Sequence, residues 1–203
     1  MGSAGSFRRA TGLALAGVGL PAVAHAPVSV FGIALGQPLA LPPCSTAKFF
    51  GNTSDVTEIT QQRFCATKMI QITNSPFQRS DLIFPEKQKP SVVSVNLASA
   101  YIWKGKVEAV DFATPDYNYS TSVLDGLKAK FGQPSYTRIG RSVVEGIPIP
   151  SLEAHWTLSG ATVDYKAVDD GDIDNGYVSI KSDTYTQIEG DAAVAAEKAK
   201  IGL

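Results

Sequence analysis

Leu152-Glu153-Ala154-His155-Trp156-Thr157-Leu158-Ser159-Gly160-Ala161-Thr162-Val163-Asp164-Tyr165-Lys166-Ala167 is the stretch that decides the fold class. Leu152, Ala154, Trp156 and Leu158 alternate with Glu153, His155 and Thr157, which is the period of a half-buried strand. Ala161, Val163, Tyr165 and Ala167 repeat the pattern against Asp164 and Lys166. Ser159-Gly160 is a two-residue turn between them, although Gly is better placed first for a type II′ geometry. The pair reads as an antiparallel hairpin. His155 alternates with core positions and points away from the core.

Working outward, 177–185 reads as a third strand with Val178 and Ile180 apolar. Asp191 then caps an alanine-rich helix over 192–201, ended by Gly202. On the other side, Val123, Leu124, Leu127 and Phe131 fall on one helical face over 120–131. Gly132 suits the left-handed cap and Pro134 prevents continuation. Upstream, Lys104-Gly105-Lys106 is a hairpin turn between strands at 100–103 and 107–112. Val93, Val95 and Leu97 alternate as a further strand. Pro76, Pro85 and Pro90 predict irregular chain over 74–90. A strand is expected over 64–73 on Met69, Ile70 and Ile72, and short extended pieces and turns over 31–38. No strand–helix–strand alternation is present, so the expected fold is α+β, an antiparallel meander with helices on one face.

The first 24 residues read as a secretory signal peptide. Arg8 and Arg9 form the positive region, residues 10–20 the uncharged run, and Ala22-Val23-Ala24 the cleavage pattern. Ala24-His25-Ala26 is a second such pattern, but Pro27 would follow the cut, so cleavage after Ala24 is expected. Gly12, Gly17, Gly19 and Pro21 interrupt the run, against the roughly 20 apolar residues of a membrane span. The chain would touch a membrane only through an uncleaved signal. Residues 25–203 form one mature domain, placed in the periplasm or secreted. Cys44 and Cys65 are the only cysteines, and an even count in an exported chain favours a disulfide. Eighteen basic against 19 acidic residues argue against a nucleic-acid partner.

Leu124, Leu127, Phe131-Gly132-Gln133-Pro134, Trp156 and Val163 form a helix, an aromatic-Gly-x-Pro and a meander with a Trp. In this the chain resembles β-lactamase-inhibitor-protein-like domains and the small outer-membrane-assembly lipoprotein family. The resemblance covers about residues 107–185. It implies helices on an antiparallel sheet, often in tandem, and action by binding proteins. Phe31 to Pro38, with its own Gly36-Gln37-Pro38, is where a diverged first copy would start, giving halves 25–113 and 114–203. The segment from Tyr136 to Pro150 departs from a tight repeat, and the lipid-attachment Cys is missing near the positive region.

Chemistry-bearing groups are few. Asp170, Asp172 and Asp174 alternate as in a calcium loop, but Lys181 stands where an EF-hand has its bidentate Glu. Those acids are read as a wet strand connection, and no metal or other cofactor is expected. His155 has no G-x-S-x-G serine to serve. Tyr101, Tyr117 and Tyr119 are the candidate interface residues, because tyrosine gives large contact area at low entropy cost. Trp103 and Trp156 are read as core. The expected function is that of a non-catalytic envelope protein binding a protein or cell-wall partner. The alternatives are a small exported hydrolase using carboxylates and a calcium-binding secreted domain.

Overall fold

The computed structural model describes residues 26–49, 52–55, 63–144, 146–168 and 174–200. The signal segment 1–24, Asp170 and Asp172 lie outside the described residues. Among the described residues, no helix is long and apolar enough to cross a membrane.

The fold is α+β. In chain order the strands are β1 (Ser29–Val30), β2 (Ile33–Ala34), β3 (Thr46–Phe49), β4 (Asn52–Asp55), β5 (Cys65–Ala66), β6 (Ile70–Gln71) and β7 (Gln78–Ile83). They continue with β8 (Leu97–Trp103), β9 (Lys106–Pro115), β10 (Tyr136–Val144), β11 (Ile147–Leu158), β12 (Ala161–Lys166) and β13 (Asn175–Ser182). Helix α1 (Ser120–Phe131) follows β9, and α2 (Asp183–Lys200) follows β13. The main sheet has the order β10-β11-β12-β13-β9-β8-β7-β5, with β6 also on β7. Each of these pairings is antiparallel.

The expected hairpins form. Ser159-Gly160 joins β11 to β12, closed by Leu158 opposite Ala161. Lys104 and Gly105 join β8 to β9 with φ of 48° and 79°. Two successive positive φ angles give the turn whose twist matches the flanking strands.

Side chains alternate across the sheet and make two clusters. On the first face Ala100, Ile102, Val110, Trp156, Val163, Val178 and Ile180 pack against Val123, Leu124 and Leu127 of α1. The Gly132 N–H bonds back to the Lys128 carbonyl at 2.9 Å, ending α1. On the second face Tyr185 of α2 packs with Phe77 and Ala109, and Tyr101, Trp103 and Ile188 border them.

Several expectations are corrected. The helices lie on opposite faces of the sheet, because α1 joins Val110 while α2 joins Ala109, its neighbour of opposite orientation. Helix α2 starts at Asp183, not at 192, since Ser182 Oγ accepts from the Tyr185 N–H at 3.0 Å and caps it there. The third strand therefore ends at Ser182. Strand β7 crosses the stretch read as irregular, since Pro76 and Pro85 fall just outside it. Val93 is buried, but its N–H closes a turn onto Pro90, so 93–96 is not strand. Met69 and Ile70 are exposed, and only the two-residue β5 and β6 form there.

Cys44 and Cys65 are bridged, 21 residues apart in the chain. The Cys44 N–H bonds to the Ala66 carbonyl at 2.9 Å, and the Ala66 N–H to the Pro42 carbonyl at 3.0 Å. Residues 42–44 thereby cover the outer side of β5.

Candidate functional site

The second face carries a row of polar side chains in strict register across seven strands. It runs Asp81, Ser99, Asp111, Ser179, Asp164, His155, Tyr136, each directly opposite the next. The alternation in the sequence placed His155 and Asp164 away from the core, and only the register brings the seven into line.

Asp111 is the most buried carboxylate of the row, 8% exposed, and its neighbour Ser179 is 4% exposed. Ser179 Oγ donates to its Oδ1 at 2.7 Å, and the Tyr177 hydroxyl donates to its Oδ2. Burial pushes its carboxyl above the ordinary 3.8, and the Tyr177 and Ser179 hydroxyls and the Lys181 charge pull the other way. Burial, and then the Asp111 charge, push the Tyr101 hydroxyl up to about 12. Tyr177 is raised by the same two causes in the same order. These phenols are therefore proton donors at any physiological pH.

A carboxyl raised on folding binds its proton more tightly folded than unfolded. The stability from that proton is full below the unfolded value and is lost as pH rises through the folded one. Wild type compared with Asp111→Asn should therefore gain in melting temperature as pH falls from neutral toward about 4. Parallel melting curves for the two proteins across that range would contradict the assignment.

Farther along the row, His155 Nδ1 lies 2.7 Å from Asp164 Oδ1, and Thr157 Oγ1 lies 3.3 Å from His155 Nε2. The connectivity is that of a hydroxyl–imidazole–carboxylate array. It stands on open sheet, with Thr157 exposed and Asp164 half-exposed, rather than in a recess that excludes water. Asp81 is engaged by Arg79 Nε at 3.0 Å and by Ser99 at 3.3 Å.

The structure divides the three candidate tyrosines. Tyr101 is partly buried, its ring packed on Tyr185 with centroids 5.8 Å apart. Tyr117 is half-buried against the main core. Tyr119 is 57% exposed and stays available. Asp174 is exposed at the start of β13, and among the described residues no cluster of three potential metal-ligating side chains occurs. Trp156 is core as expected, and Trp103 is half-buried beside α2.

The surface that the residues did not announce is the β10–β11 hairpin. Its pairing runs from Tyr136 opposite His155 to Val144 opposite Ile147. Strand β12 pairs only with Glu153 onward, so residues 139–144 and 147–151 project as a two-stranded arm. The Leu152 carbonyl bonds toward Ala167, and the Thr157 N–H bonds toward Ser135. That alternation sends the missing N–H groups of Pro148 and Pro150 to the side where no strand follows. It also turns the backbones of Thr137, Ile139, Arg141 and Val143 outward along β10, with which no other strand among the described residues pairs on that side. Ile139 is 80% and Val143 69% exposed. The signal was present in the alternation of 137–143 and in Gly146, but Pro148 and Pro150 obscured it.

Comparison of the chain with protein-family models, with curated proteins and with solved structures found no match in any of the three.

Proposed function

We propose that this is an exported bacterial envelope protein that binds a protein partner by taking an extended segment of it along β10. One observation carries the proposal: a nine-residue edge strand with Ile139 and Val143 bare and four outward-facing backbone positions. Such an edge is a template for strand addition, in which main-chain hydrogen bonds give affinity and side-chain alternation gives selectivity. Arg141 lies between Ile139 and Val143 on that face, so the fitting segment is apolar, acidic, apolar at alternate positions. The disulfide and the signal-like leader support export. The resemblance to protein-binding envelope domains supports the class. Strands β7–β9 and β10–β13 form two adjacent meanders, which supports reading 25–113 and 114–203 as diverged copies.

The hydrolase alternative needs two carboxylates facing a substrate. Asp111 is buried among hydroxyls and Asp81 is paired with Arg79, which favours binding over that reading. The calcium alternative predicts that about 1 mM calcium raises the melting temperature; no change is expected.

The test is capture from envelope extract by wild type and two variants side by side. Ile139→Pro removes an outward N–H that β11 does not use, and Ile139→Asp with Val143→Asp removes the apolar contacts. The double Asp variant should stay within about 0.5 kcal/mol of wild-type stability, as exposed changes do, and a melting curve confirms that the proline variant, a backbone change, still folds. A partner held by wild type should be lost from both. A partner retained by both variants, or turnover of a glycan, ester or peptide abolished by one Asp or Glu change, would sink the proposal.

A further inference from the structure

The other feature that the fold does not consume is Glu108. It sits at a bulge in β9: Tyr101 faces Ala109 and Ile102 faces Val107, which leaves Glu108 without an opposite residue on β8. Bulges re-aim side chains, and here the result is a carboxylate only 4% exposed. Ser182 Oγ donates to its Oε2 at 2.5 Å. The amino end of α2 begins at the next residue and adds partial positive charge behind that hydroxyl. Among the described residues, no cation lies within ion-pair distance of Glu108. Lys106 lines the same recess, yet its ammonium forms no such pair. The hydroxyl and the helix end offset only part of the cost of burying a carboxylate without a full counter-charge, and a bound cation relieves the rest.

Glu108 and Ser182 line a recess of about 290 Å³ together with Pro27, Leu35 and Gly160. Its size and mixed polar and apolar wall suit a short alkyl chain carrying one charged nitrogen. Pro27 is in the wall, three residues after the expected cleavage site and one after the alternative. We propose that this recess is an alkylammonium site in which Glu108 receives a protonated amine. The amine has two sources of one chemistry, a free small amine or the amino terminus that leader removal creates. The second source rests on the export reading above; the first does not.

The experiment uses protein exported by a bacterial host and purified from its envelope, with ethylammonium chloride as probe. A three-heavy-atom ligand binds no tighter than about 1 mM, so calorimetric titration runs to about 10 mM. Two forms are compared, one with its free amino terminus and one with that terminus acylated. If a free amine is the ligand, both forms bind the probe and Glu108→Gln abolishes binding. If the chain's own terminus is the occupant, only the acylated form binds the probe. The free form then melts higher, and Glu108→Gln removes both differences. Glu108→Asp, which keeps the charge but retracts it from the recess, should weaken probe binding several-fold should Glu108→Gln fail to fold.

Absence of saturable binding in both forms, with equal melting temperatures, overturns the site. Binding that appears only in Lys106→Ala also overturns it, since the lysine would then be the resident cation. A purified chain whose mass retains the leader sinks the export reading alone, and ethylammonium still tests the recess.

Discussion

Trp156→Ala is expected to cost about 4 kcal/mol and to lower the melting temperature by roughly 10–15 °C. Trp156 is 1% exposed, at the centre of the first-face core on β11. Its ring lies 6.4 Å from that of Phe131 at the end of α1. Its Nε1 donates to the Gly132 carbonyl at 2.8 Å. The residue therefore fills the core and ties the end of α1 to the sheet. Gly132 has φ of 81°, so the bond holds a backbone position that other residues resist. Alanine removes the ring volume and leaves the carbonyl without its donor. Trp156→Phe keeps much of the volume and loses the bond, so about 1–2 kcal/mol is expected there. Denaturant melts of the two variants measure both quantities. A loss under about 1 kcal/mol for alanine would show that the core collapses around the gap, against this account.

The second large effect is expected from cutting the Cys44–Cys65 bridge. A loop of this length restricts the unfolded chain, and its loss costs roughly 3 kcal/mol. That corresponds to a melting temperature lower by about 6–12 °C. Cys65 is fully buried on β5, so the effect should reach the sheet and not only the surface loop. Without the bridge, residues 42–44 keep only backbone bonds to Ala66, and Leu39 and Leu41 lose their tether to the core. Cys44→Ala with Cys65→Ala, compared with reduced wild type, separates the cross-link from thiol chemistry. Equal melting of oxidised and reduced protein would contradict the assignment.

The 152–167 stretch showed an antiparallel hairpin because its alternation and its turn agree. Helix α1 was legible for the same reason, with apolar period, Gly132 and Pro134 all pointing one way. Helix α2 was misread at its start because Tyr185 and Ile188 continue an apolar pattern that also fits a strand. Only the capping by Ser182 separates the two, and that is a geometric fact. Strand β7 was lost to its flanking prolines, and the β10–β11 arm to Pro148 and Pro150. The candidate surfaces were the least legible. Exposure of Ile139 and Val143 follows from where β12 stops pairing, and the partial burial of Tyr101 follows from where α2 lies. Neither is a property of the local residues.

The two borders of the main sheet are unlike. At one, β10 offers a full strand's worth of open hydrogen-bonding groups. At the other, β5 and β6 are two-residue fragments, and β5 is overlaid by a segment holding Pro42 and Pro43. Prolines present no N–H, and the cross-link at Cys44 fixes them in place. Among the described residues, a molecule joined at its β10 side thus has no long open strand on its far side. Head-to-tail growth through that border is disfavoured. Strand addition is therefore expected at the β10 border and not at the β5 border.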